Sequence, residues 1–165
     1  MVWRIAAARR KYPPRWMRRL TRARLAAQPD DMQNCIATVT LVVADYDAAI
    51  GFYCEALGFA LLSDTPLGGG KRWVLVAPPG GGARLLLAEA DGPEQAARIG
   101  DQTGGRVGFF LETDDFARDH AAFSARGVRF LEAPRHEPYG IVAVFEDLYG
   151  NKWDLIEPGA SAPVS

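Results

Sequence analysis

Most of this 165-residue chain is one pattern written twice. Val43-Ala44-Asp45 returns as Thr113-Asp114-Asp115 (45 to 115, an offset of 70). Ala56-Leu57-Gly58-Phe59 returns as Ala125-Arg126-Gly127-Val128 (58 to 127, an offset of 69). The segment from Gly82 to Glu89 returns as Gly150 to Glu157 (82 to 150, an offset of 68). Losing one residue per connection is what a duplicated unit with altered turns shows.

Each copy has the same element order. Cys35 to Val43 is rich in β-branched residues and reads as a strand. Asp45 then caps a helix whose Tyr46, Ile50, Tyr53 and Leu57 recur at helical spacing, and Gly58 ends it. Strands follow at Phe59 to Ser63, Arg72 to Val76 and Arg84 to Ala90, divided by glycine-rich turns. In the second copy a strand at Arg106 to Glu112 precedes a helix capped by Asp114 or Asp115, with Phe116, His120 and Phe123 on one side. Gly127 ends that helix, and Val128 to Leu131, Ile141 to Phe145 and Lys152 to Glu157 complete the set. The expected fold is therefore α+β, two βαβββ modules forming a curved mixed sheet around a cleft. One domain spans 34–158: module one at 34–90, a linker at 91–105 and module two at 106–158, with residues 159–165 as a tail.

Charge sets residues 1–33 apart. Residues 1–29 hold nine basic groups and no acidic one, which leaves 10 basic against 20 acidic groups in the remainder, a net of −10. Such a basic segment has three readings: an arm for nucleic acid or membrane, a transit-like leader, or an extension the domain does not need. Met32 stands just ahead of the first strand-like run, and the dispensable extension is preferred. No apolar run approaches the roughly 20 residues of a membrane span. Cys35 and Cys54 form no C-x-x-C, so a reducing, cytoplasmic setting with buried, unreactive thiols is expected.

Two segments carry a family resemblance. One is Asp45-Tyr46-Asp47-Ala48-Ala49-Ile50-Gly51-Phe52-Tyr53 leading to Leu57-Gly58-Phe59. The other is the ending Phe145-Glu146-Asp147-Leu148-Tyr149-Gly150-Asn151-Lys152-Trp153-Asp154-Leu155-Ile156-Glu157-Pro158. Together with the repeat they resemble the vicinal-oxygen-chelate superfamily of glyoxalases, bleomycin-resistance proteins and extradiol dioxygenases. The resemblance covers about residues 34–158 and implies a cleft lined by the sheet, usually in a homodimer. It does not fix the reaction, because the superfamily holds lyases, isomerases and dioxygenases beside drug-binding proteins.

Metal-dependent relatives place ligands on the first and last strand of each module. Those positions fall here on Thr38, Leu86, Gly108 and Asp154, and only Asp154 is a strong donor. A divalent ion needs several converging His or carboxylate groups. No metal and no other cofactor is expected, a divalent ion being the alternative. Stepping by two along the strands gives cleft candidates: Thr38, Thr40, Val42, Arg84, Leu86, Ala88, Arg106, Gly108, Phe110, Glu112, Lys152, Asp154 and Ile156. Thr38, Thr40, Arg106, Gly108, Phe110 and the loop residue His136 are the ligand-binding candidates, with Gly108 opening space and Phe110 offering a stacking face. Asp154 and Glu112 are the candidates for catalysis. His120 reads as a packed helix histidine. Gly68-Gly69-Gly70-Lys71-Arg72 lacks phosphate-loop spacing and reads as a hairpin turn.

The functional expectation is a protein binding an aromatic or cationic small molecule, with nucleic acid and membrane not expected as partners. The alternative is an enzyme of the same superfamily, a lyase, isomerase or dioxygenase, using an atypical metal set or metal-free acid–base chemistry.

Overall fold

The computed structural model describes residues 34–159; the expectations about the 1–33 extension and about residues 160–165 lie outside them. Module one runs β1 (Thr38–Val43), α1 (Tyr46–Gly51), a π-helical turn (Phe52–Ala56), β2 (Ala60–Gly68), β3 (Lys71–Ala77) and β4 (Arg84–Glu89). A short α2 (Pro93–Ala96) lies in the linker. Module two runs β5 (Val107–Glu112), α3 (Phe116–Ala125), β6 (Arg129–Phe130), β7 (Arg135–Glu137), β8 (Gly140–Glu146) and β9 (Lys152–Pro158).

The two sheets are ordered alike. The first is β1-β4-β3-β2 and the second β5-β9-β8-β6, with β7 also paired to β8. First and last strands of each module run parallel, pairing Thr40 with Leu86 in one and Phe110 with Asp154 in the other. Those pairs are equivalent in the repeat, so the internal register survives into three dimensions. The α+β class and the repeated module order expected from the sequence are observed, but each module has its own sheet rather than sharing one curved sheet, and module two carries an additional strand, β7.

Capping explains where the helices begin. Asp45 accepts from Ala48 N at 2.7 Å and Asp115 from Arg118 N at 2.9 Å, each satisfying a donor of the first turn. Gly58 and Gly127 follow the helical segments at positive φ, where a side chain would be strained. The first helix loosens into π geometry before Gly58, a local widening the apolar spacing did not foretell.

Helices cover one face of each sheet, and both modules contribute to a single core. Tyr53 and Phe59 meet Trp153 with ring centroids 6.0 and 6.3 Å apart. The junction also holds a buried carboxylate. Asp147 accepts from Tyr53 Oη at 2.7 Å, Asn151 Nδ2 at 2.8 Å, Tyr149 N at 2.9 Å and Asn151 N at 3.0 Å. A buried charge with its lone pairs filled is tolerated, and this one ties module two to module one. The Tyr53 phenol is held well above its ordinary range, by burial first and by the adjacent Asp147 charge second.

Some expectations need correction. Cys35 is exposed rather than buried, because it precedes β1, and only Cys54 is partly covered. His136 stands on a short strand, β7, where the sequence suggested a loop. The Gly68-Gly69-Gly70 run is the hairpin turn between β2 and β3, as expected. Arg72 beyond it is engaged by Asp47 and Asp64 at 2.7 and 2.5 Å and lies over the Tyr46 ring, which leaves it no freedom to bind phosphate.

Candidate functional site

Strand alternation sorts side chains onto two faces. On β1 and β4, Leu41, Val43, Leu85 and Leu87 are buried in the core. Thr38, Thr40, Val42, Arg84, Leu86 and Ala88 therefore share the outer face, turned away from the helices. Trp73 joins them from β3, opposite Thr65 and 42% exposed. On β5 and β9, Phe109, Leu111, Trp153 and Leu155 belong to the core and its edge. Phe110, Glu112, Lys152, Asp154 and Ile156 thus share the outer face of the second sheet.

Among the described residues two buried side-chain polar atoms lack a hydrogen-bond partner, Gln102 Nε2 and, on the outer face of the second sheet, Asp154 Oδ1. The Asp154 carboxyl is raised above the ordinary range, chiefly by desolvation, with Arg135 lowering it and Glu132 raising it. Phe110, paired directly with Asp154, is 66% exposed. An unsatisfied acceptor beside an uncovered aromatic ring is costly in a free protein and useful to a ligand that donates a proton and stacks.

The other sequence-derived positions are placed unevenly. Thr38 pairs with Arg84, so it lies diagonal to Leu86 rather than opposite it. The β5–β9 register shifts between Val107 and Phe109, with Val107 opposite Lys152 and Phe109 opposite Trp153. That bulge reverses the alternation on which Arg106 was assigned to the cleft, and Arg106 sits exposed in a bend ahead of β5. Gly108 does not open space: a Cβ there would lie 2.6 Å from Thr103 Cγ2, so the linker fills the room above it. His136 pairs with Ile141, one residue out of phase with the Arg135–Val142 pair, and so faces the side opposite Asp154. His120 stacks between Phe116 and Phe130, at 5.4 and 4.1 Å.

A groove of about 1320 Å3 runs along the edge of β5, on the side of the helices. Leu57, Phe59, Phe109, Phe123 and Trp153 line it, together with the Pro78–Ala83 turn. Of the sequence-derived candidates it takes in Gly108, Phe110 and Glu112 but not Thr38, Thr40, Arg106, His136 or Asp154. Strand alternation could not have found this groove, since it depends on how the modules meet.

A divalent metal of the kind used by many relatives does not fit these residues. Leu86 and Gly108 offer no donor, Thr38 only a hydroxyl, and Asp154 one carboxylate. Among the described residues no three His, Cys, Asp or Glu side chains converge.

Comparison with known proteins agrees with the fold. A protein of Shewanella frigidimarina (strain NCIMB 400) is 50% identical over 135 residues, covering 81% of this chain and all of the relative. YetH of Bacillus subtilis (strain 168) is 30% identical over 122 residues, 74% of this chain and 97% of the relative. The crystal structure of TnmS3, an antibiotic binding protein from Streptomyces sp. CB03234, is 33% identical with a TM-score of 0.62, covering 78% of this chain and 98% of that one. UcmS2 is 30% identical with a TM-score of 0.65, covering 76% and 98%. The family described as Glyoxalase/Bleomycin resistance protein/Dioxygenase superfamily matches residues 35–155, and the chain belongs to it.

Proposed function

We propose that this protein binds a small organic molecule, aromatic or cationic, on the outer face of its second sheet. Asp154 is the polar anchor and Phe110 the stacking surface. The observation that carries the reading is the buried, unpartnered Asp154 Oδ1 beside the exposed Phe110 ring. A cation or an N–H donor satisfies the carboxylate, and a flat ring covers the aromatic face. Description of the similar TnmS3 as an antibiotic binding protein supports the reading.

The working form in this proposal is a homodimer. β1 and β5 are the outermost strands of their sheets and equivalent in the repeat; Val42 N on β1 is taken by Gln102 Oε1 at 2.9 Å, and the edge at Thr38 and Thr40 is the part that invites pairing. A two-fold pair in which β1 of one copy lies along β5 of the other would continue the sheet. That arrangement brings Thr38, Thr40 and Trp73 of one copy toward Phe110 and Asp154 of the other. Arg106 and His136 keep at most a peripheral part.

One observation favours a second reading. An aspartate carboxyl raised by desolvation suits proton transfer, so metal-free acid–base catalysis by Asp154, with Glu112 on the same face, is the enzyme alternative.

The test is fluorescence titration with 9-aminoacridine, a flat aromatic cation that carries N–H donors. Saturable binding to the wild type, weakened at least tenfold in Asp154→Asn, supports the anchor. Equal affinity in the two proteins, or none in either, removes it. Recovery of the probe chemically altered would favour the enzyme reading.

A further inference from the structure

Arg135 stands near Asp154 without pairing to it. It lies on β7 opposite Val142, which lies opposite Ile156, so Arg135 rises from the same face as Asp154. Two strand spacings, about 10 Å, and two residues along the strand, about 7 Å, put the two backbones about 12 Å apart, within reach of extended arginine and aspartate side chains joined by a hydrogen bond. Two other carboxylates occupy the guanidinium instead. Nε donates to Glu132 Oε1 at 2.9 Å, and Nη1 donates to Glu137 Oε1 at 2.6 Å.

Glu132 is fixed in its turn. Its Oε1 also accepts from Val144 N at 3.2 Å, and Val144 is the residue paired with Asp154 across β8 and β9. The remaining cations of this face are engaged elsewhere. Lys152 Nζ donates to Gly105 O at 3.1 Å, and Arg129 bridges Glu146 at 2.6 Å. Glu112 on β5 adds a further negative charge.

We infer that Glu132 and Glu137 hold Arg135 away from Asp154, keeping that carboxylate unpaired and selecting a cationic ligand. Glu132 is then a positioning residue, acting through Arg135. Released, the guanidinium turns to the nearby carboxylate, fills the anchor and repels a cation. The clamp decides ligand charge without touching the ligand. This inference rests on the proposed binding role of Asp154.

The experiment uses the full chain and three proteins: wild type, Glu132→Gln and the double variant Glu132→Gln/Arg135→Gln. Glu132 Oε1 accepts from both Val144 N and Arg135 Nε; the amide keeps an oxygen and the shape of the side chain but removes the charge that holds the guanidinium. A crystal structure of the single variant is expected to show Arg135 in contact with Asp154. Affinity for 9-aminoacridine is expected to fall about tenfold in the single variant and to recover in the double one. A merely structural loss would not be rescued by the second substitution. Arg135 remaining on Glu137, with unchanged affinity, overturns the inference. If Arg135 moves but 9-aminoacridine binds none of the three proteins, the clamp stands and the ligand reading fails.

Discussion

Tyr53→Phe removes one atom from the junction between the modules. That atom donates to Asp147 at 2.7 Å inside a site where Tyr53 is fully buried. A buried hydrogen bond to a charged group contributes about 1.5–3 kcal/mol. Asp147 keeps its donors from Asn151 and Tyr149, so the carboxylate is not orphaned and the cost belongs near the lower end, about 2 kcal/mol. With a urea dependence of about 2 kcal/mol per molar, the unfolding midpoint should drop by about 1 M.

The pH dependence supplies a second readout. Tyr53 is raised in the folded state, so the folded protein holds its phenol proton after the unfolded chain has released it. Its contribution is present below the ordinary value of 10.0 and is lost as pH rises above it. The wild type should therefore lose stability above pH 10 more steeply than Tyr53→Phe. A midpoint shift under about 0.25 M, with parallel alkaline profiles, would refute the claim that this bond ties the modules together.

Other expectations follow from the same geometry. Asp154 is raised, so its ionisation opposes folding: stability is highest below the ordinary carboxylate range and declines as pH rises through the shifted value. Asp154→Asn should melt higher than wild type at neutral pH while binding 9-aminoacridine less well; a lower melting temperature would mean the carboxylate supports the fold. Gly108→Ala places a Cβ against Thr103 Cγ2 and should cost about 1–3 kcal/mol in urea unfolding, with most of it recovered in Gly108→Ala/Thr103→Ala. Additive losses in that double variant would show that the contact is not the reason for the glycine. Removal of residues 1–31 should leave a cooperative melt near that of the full chain, and a broadened or lost transition would assign the segment to the folded unit.

Much of the architecture was legible because the repeat carries its own register. Matching Asp45 to Asp115 and Leu86 to Asp154 anticipates that the two modules share one strand register, which the equivalent pairs Thr40–Leu86 and Phe110–Asp154 display, although the positions grouped from the sequence were Thr38 and Gly108. Asp45 and Asp115 announce the helix starts, since a short acceptor is what the first turn requires. Asp154 stands out in the sequence because it is a carboxylate at a position where its counterparts Thr38, Leu86 and Gly108 have none. The misplacements arose where contact between distant segments decides local geometry. The Val107–Phe109 bulge displaced Arg106 from the alternation, and the linker residue Thr103 occupies the room that Gly108 suggested was free. His136 was read as part of a loop, while pairing with Ile141 puts it on the wrong face for Asp154. The clamp on Arg135 was invisible because Glu132, Arg135 and Glu137 resemble any solvated charge run until β7 folds against β8. Trp73 is legible in the sequence, since it lies two residues before Leu75 on the Arg72 to Val76 strand and so shares its face.

In the proposed function the outer face of the second sheet serves an organic cation rather than a metal ion. Melting temperature settles it most directly, measured on one preparation with added 9-aminoacridine and, separately, with Zn2+, Ni2+, Mn2+ and Fe2+. A ligand that binds only the folded state raises the midpoint by mass action. A rise with 9-aminoacridine that Asp154→Asn abolishes, and none with the ions, is the predicted result. A clear rise with one ion, matched by stoichiometric metal in the purified protein, would contradict it and redirect the search to metal-assisted chemistry.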